Sequence, residues 1–138
     1  MKIATSILVA TSSNRGRNLI QWLCSLYWLA LTAGLLRPHG GDRPSGIELL
    51  DSHPDLSHFL AFMILAVLVR AARFGWTTGA MMLTLSVYAA GAELAQMLVP
   101  GRTASPVDGL ANLLGVWLGA ALCSAASRRL RPCPPLET

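Results

Sequence analysis

Four apolar stretches, at residues 19–36, 56–72, 76–92 and 109–126, constrain this chain more than any other feature. Each is 17 or 18 residues long, the short end of what crosses a hydrocarbon core of about 30 Å as a helix. Helices in a water-soluble bundle carry a polar stripe along their whole length; these stretches do not. Composition agrees: 53 % of the residues are hydrophobic and 13 % charged, against about 25 % charged in an ordinary soluble domain. The pattern predicts a single-domain, all-α polytopic membrane protein with four transmembrane helices over about 19–36, 56–73, 76–97 and 107–126. A cytoplasmic N-terminal tail (1–18) and a cytoplasmic C-terminal tail (129–138) flank the membrane domain at 19–128.

The net charge of +4 carries topological information. Lys2, Arg15 and Arg17 precede the first helix, Arg70 and Arg73 close the second, and Arg128, Arg129 and Arg131 follow the fourth. Threading four helices puts those eight on one side and leaves Arg37, Arg43 and Arg102 on the other. The positive-inside rule then makes both termini cytoplasmic. A basic footprint for nucleic acid is not what this distribution describes. Cys24, Cys123 and Cys133 lack metal-ligand spacing and read as two small packing residues and a tail thiol. No metal site and no cofactor is expected.

Taken in order, residues 1–16 only faintly resemble a signal peptide. The apolar run at 3–10 is at the bottom of the usual length, and a basic cluster and a full span follow at once. Cleavage would force helix 1 to insert against the charge bias, so a loose interfacial tail, or a start site upstream of the natural one, is expected. Trp22 fits an aromatic belt, whereas Tyr27 and Trp28 lie deeper and pack against neighbours. Pro38 ends the first helix by disfavouring a helical Arg37.

The loop 37–55 is rich in glycine and proline and holds four acids and two arginines, consistent with an exported turn-rich segment. Its Pro44-Ser45-Gly46 matches the start of the PSGH element of phosphatidic-acid-type lipid phosphatases. Ile47 holds the histidine position, however, and no SR…H…D element follows, which excludes that chemistry. Asp55 or Ser57 is the expected cap of helix 2, and His58 sits one turn inside its outer end. Arg70 snorkels from its inner end. A short turn at 74–76 makes helices 2 and 3 an antiparallel hairpin. Glu93 and Gln96, three apart and so on one face, precede the break at Pro100-Gly101. Pro106 opens helix 4.

Threading brings the polar residues to one depth. His58 starts helix 2, Glu93 and Gln96 end helix 3, Asp108 and Asn112 start helix 4, and Arg102 lies in the loop between the last two. A charged side chain near mid-membrane costs roughly 2.5–3.5 kcal/mol on the insertion scale, so such groups must face one another or a ligand. Asp108, Asn112, Gly115 and Gly119 form a single stripe on helix 4. The small residues Ala111, Gly115 and Gly119 recur every fourth position, the pattern that lets membrane helices approach closely.

Three readings stay open. As a ligand site, Arg102 holds a phosphate or carboxylate with its planar fork, while Glu93, Gln96, Asp108 and Asn112 orient it or bind a sugar or amine. As an enzyme, His58 with Glu93 or Asp108 forms the catalytic acid–base pair of a head-group hydrolase or transferase; no nucleophile stands out. As structure, the cluster is interhelical glue. A transporter is disfavoured, because the polar groups lie at one membrane face and no internal repeat is visible.

The elements His58–Phe62 (H-F-x-A-F), Glu93-x-x-Gln96, Pro100-Gly101-Arg102 and Asp108-x-x-x-Asn112-x-x-Gly115 together resemble the VanZ-like membrane protein family over roughly Asp55 to Gly119. In the family pattern an Asp-Lys pair begins four residues before the histidine. Here Pro54 holds that position and Asp55 follows without a lysine, so the resemblance assigns Asp55 no role. The resemblance implies a multi-pass protein of the bacterial cytoplasmic membrane, in a family whose namesake is linked to resistance to the glycopeptide antibiotic teicoplanin. The implied partner is a membrane lipid or a lipid-linked cell-wall precursor of the outer leaflet, with homo-oligomers forming through small-residue faces.

Overall fold

The computed structural model describes residues 2–38, 54–101 and 105–129. The expectations for the loop at 39–53, for Arg102, and for Arg131 and Cys133 in the tail lie outside the described residues. Four helices make up the all-α fold, and there is no strand among the described residues. They are α1 (Lys2–Leu35), α2 (Pro54–Ala72), α3 (Thr78–Gln96) and α4 (Pro106–Arg129).

The helix starts differ from expectation for local reasons. α1 begins at Lys2 and not near residue 19, so the segment expected as a loose tail is helical backbone. No proline interrupts it, and a lone Gly16 lowers helix stability by about 1 kcal/mol without ending the helix. Pro54 lies in the first turn of α2, where its missing N–H has no intrahelical partner to lose. Asp55 and Ser57 therefore lie inside the first turn and do not precede it. α3 starts two residues later than expected because Thr77 is its cap: the hydroxyl oxygen accepts the Ala80 N–H at 3.1 Å. At its other end α3 tightens, with Leu98 and Val99 donating to the carbonyls of Ala95 and Gln96, before Pro100 removes a donor and Gly101 turns at φ +77°.

α2 is the centre of the bundle. Its buried face, Phe62, Leu65, Ala66, Val69 and Ala72, follows three- and four-residue steps, as a helix packed along one stripe must. α4 meets this face most extensively, α1 lies on α2, and α3 lies on α4. Met81, Leu85 and Ala89 from α3 and Val116 and Ala120 from α4 complete the core. The expected deep packing of Tyr27 and Trp28 holds. Tyr27 donates its hydroxyl to the Ala61 carbonyl at 3.0 Å, and Trp28 meets Tyr88 edge-on at 5.2 Å between centroids.

The α2–α4 contact is made backbone to backbone. A Cβ on Gly115 would overlap the Phe59 carbonyl oxygen, and one on Gly119 would stand 2.7 Å from the Met63 carbonyl oxygen and 2.9 Å from the Ala66 Cβ. Small residues one turn apart thus set the distance between the two helices that frame the polar site.

Two of the helices, α2 and α4, are long and apolar enough to cross a membrane. α1 and α3 fall short because Gln21, Ser25 and Thr32 in one, and Thr84, Ser86, Glu93 and Gln96 in the other, dilute their apolar runs. Only 28 % of each spanning window is buried within the protein, so most of its apolar surface faces outward.

Candidate polar site at the head of α4

The site begins with the way α4 starts. Ser105, Pro106, Val107 and Asp108 place a serine at the cap, proline in the first turn and an acid three residues on, the composition of a capping box. The Ser105 Oγ accepts the Asp108 N–H at 3.5 Å, and the Ser105 carbonyl accepts the Gly109 N–H at 3.0 Å. In a capping box the acid three residues on would reach back to the serine N–H. Here Glu93 of α3 does so instead: Ser105 N–H donates to Glu93 Oε1 at 2.5 Å. Glu93 thus ties the end of α3 to the start of α4 and leaves the Asp108 carboxyl free to turn elsewhere. Its Cγ passes 3.8 Å from where a Cβ on Gly109 would be, so it lies along the first turn of α4.

One turn further, Asn112 is 1 % exposed. Its Oδ1 is 3.1 Å from His58 Nδ1 of α2. An amide oxygen only accepts, so Nδ1 is the donor in this pair. Asp108, half-buried, lies within electrostatic reach of His58, Glu93 and Asp55. Two buried atoms have no hydrogen-bond partner among the described residues: Glu93 Oε2, an acceptor, and Asn112 Nδ2, a donor.

His58, Glu93, Asp108 and Asn112 therefore stand together where α2, α3 and α4 meet. Gln96 does not join them. It is buried, and its side-chain N–H donates to the Leu35 carbonyl at 3.1 Å, satisfying the last turn of α1. Arg102 lies outside the described residues. No group of three or more acids, histidines or cysteines among the described residues is arranged to hold a metal ion.

Two residues of the site were missed in the sequence. Asp55 carries a legible signal, since it stands three residues before His58 and so shares its helical face. Ser105 carries another, as cap of a Ser-Pro-x-Asp start.

The family model described as VanZ/LLP1 matches residues 9–127, which takes in every element of this geometry. The chain belongs to the VanZ/LLP1 family. Comparison with curated proteins and with solved structures returns no significant match. Within this VanZ-like chain the family match and the polar junction coincide: His58, Glu93, Asp108 and Asn112 all lie inside the matched range.

Proposed function

We propose that this VanZ-like protein spans the bacterial cytoplasmic membrane four times with both termini inside, and that its polar junction engages an outer-leaflet envelope component. The ligand is a lipid-linked cell-wall precursor or a phospholipid head group. The observation that carries this reading is the pair of buried, unpartnered atoms, Glu93 Oε2 and Asn112 Nδ2. A buried polar atom left unpaired costs about 1–3 kcal/mol, and a ligand that offers a donor to Glu93 Oε2 and an acceptor to Asn112 Nδ2 satisfies both. In this reading Asp108 orients the ligand and Arg102 holds its anionic group with a bidentate fork. An envelope ligand accords with the family's link to glycopeptide resistance.

The exterior supports a membrane setting for all four helices. Trp22 and Leu29 on α1 and Leu83, Val87 and Leu94 on α3 are each more than 60 % exposed. So many large apolar side chains exposed together are uncommon on a water-soluble monomer. The eight-to-three distribution of basic residues supports the orientation.

A second reading, a head-group hydrolase or transferase, draws on the orientation of His58. With Nδ1 anchored on Asn112, Nε2 is the ring position that exchanges a proton in this reading.

Paired mass-spectrometric profiles of envelope lipids and cell-wall precursors test both readings. Cells lacking the protein express wild type or Glu93→Gln at matched membrane abundance. The glutamine keeps an oxygen for the Ser105 N–H, so the fold is expected to hold while the charge is lost. A species whose mass changes only with wild type establishes catalysis and names its substrate class. Unchanged masses, together with a precursor or lipid that co-purifies with wild type and not with the variant, establish binding. If the variant behaves as wild type in both measurements, the polar junction is structural and the proposal falls.

A further inference from the structure

At the opposite ends of the same helices lies a cleft of about 350 Å³, lined by Arg70, Arg73, Phe74, Trp76, Met81 and Ser127 among others. It is formed by the last turn of α2, the turn into α3, the first turn of α3 and the last turns of α4. Among the described residues two guanidinium groups line it and no carboxylate does. The described carboxylates, Asp55, Glu93 and Asp108, belong to the far ends of the helices. Asp55 alone is fifteen residues from Arg70 along α2, about 22 Å at a rise of about 1.5 Å per residue.

The turn itself presents the second arginine in an unfavourable backbone conformation. Arg73 has φ +50°, a left-handed position that glycine adopts with less strain, yet the glycine, Gly75 at φ +82°, comes two residues later. Phe74 and Trp76 stand beside the arginines with ring centroids 5.8 Å apart, both partly exposed. An exposed tryptophan next to basic residues at a helix end is the arrangement of a head-group layer. Ser127 donates its hydroxyl hydrogen to the Cys123 carbonyl at 2.7 Å, so its oxygen offers the cleft an acceptor.

We propose that this cleft binds the phosphate of an anionic phospholipid of the inner leaflet. Arg70 and Arg73 hold the phosphate oxygens, which their planar donors match. Phe74, Trp76 and Met81 border the glycerol backbone, and the Ser127 oxygen receives a hydroxyl of the head group. The proposal rests on the membrane reading above and is independent of the polar junction at the other end.

The test is native mass spectrometry of the full chain in detergent micelles, offered phosphatidylglycerol or phosphatidylcholine of the same acyl chains. Wild type is expected to retain one phosphatidylglycerol, several-fold above phosphatidylcholine. R70Q/R73Q should reduce that retention to the phosphatidylcholine level, whereas R128Q/R129Q, at the exposed end of α4 and outside the cleft lining, should keep it. Arg73→Gly guards against a folding failure. It removes one guanidinium while giving the turn the residue its φ favours, and it should lower retention with no loss of thermal stability.

Equal retention by wild type and Arg73→Gly overturns the proposal. So does an equal loss in R128Q/R129Q, which would mean diffuse surface charge. Displacement by excess inorganic phosphate would assign the cleft to the free anion and overturn the lipid; no displacement is expected. Failure of the membrane reading shows separately, as a chain that stays monomeric in water after detergent is removed.

Discussion

Asn112 and His58 stand at the centre of the polar junction. Each comes from a different helix, and their bond is 3.1 Å long in a setting where Asn112 is almost wholly buried. Asn112→Leu removes a bond and leaves the His58 Nδ1 proton without its acceptor, so a loss of about 1–3 kcal/mol is expected. Thermal unfolding in detergent measures it. Combining it with His58→Phe should cost less than the sum of the two single changes, with a coupling of about 0.5–3 kcal/mol; strict additivity would mean the pair is not bonded. That His58, Glu93, Asp108 and Asn112 lie at one end of the bundle was legible from threading the helices, because successive antiparallel helices bring the start of one beside the end of the next. Which partner each residue would choose was not. Glu93 turning to Ser105 N–H depends on where α3 ends relative to α4, and no spacing within one helix encodes that.

Between helices, two kinds of contact set the arrangement. Gly115 and Gly119 let α4 lie against the α2 backbone at Phe59 and Met63. Gly115→Leu drives a side chain into a carbonyl, an overpacking that typically costs about 1–3 kcal/mol. It should lower the melting temperature and the yield of folded protein, and with them the integrity of the junction one turn above. Gln96 works differently. Its bond to the Leu35 carbonyl parallels that of Gln21 to the Ala72 carbonyl at 3.1 Å: a side-chain amide closes the last turn of a neighbouring helix, where the intrahelical ladder runs out. Gln96→Leu should therefore cost about 0.5–1.5 kcal/mol by loosening α1, while lipid and precursor profiles stay as in wild type. A lost profile at full stability would return Gln96 to the ligand site. Its three-residue step from Glu93 suggested a shared face. A face, however, is wide enough to meet two different helices, and only packing assigns α4 to one residue and α1 to the other.

As a whole, the bundle turns apolar side chains outward on every helix, from Trp22 on α1 to Leu122 on α4, while its few buried polar groups are concentrated at the helix ends. Such a surface is stable against acyl chains and not against water. The chain is expected to remain in the membrane pellet after an alkaline carbonate wash and to aggregate when detergent is withdrawn. Release into the supernatant would overturn the membrane reading at this scale, whatever the site does.

Hydropathy, proline and glycine placement and the one-sided basic residues sufficed to read an all-α chain, three of its four helices to within a few residues, and the family motif. Those features act locally, through backbone geometry and the cost of burying charge. The start of α1 at Lys2 escaped that reading because nothing in 2–18 forbids a helix and nothing demands one. What only the tertiary structure decided was which polar groups satisfy one another. His58 meets Asn112 because the Gly115–Gly119 contact sets how closely α2 and α4 approach, while Glu93 caps α4 and Gln96 closes α1 because of where α3 ends beside each; those distances are properties of the packed helices together.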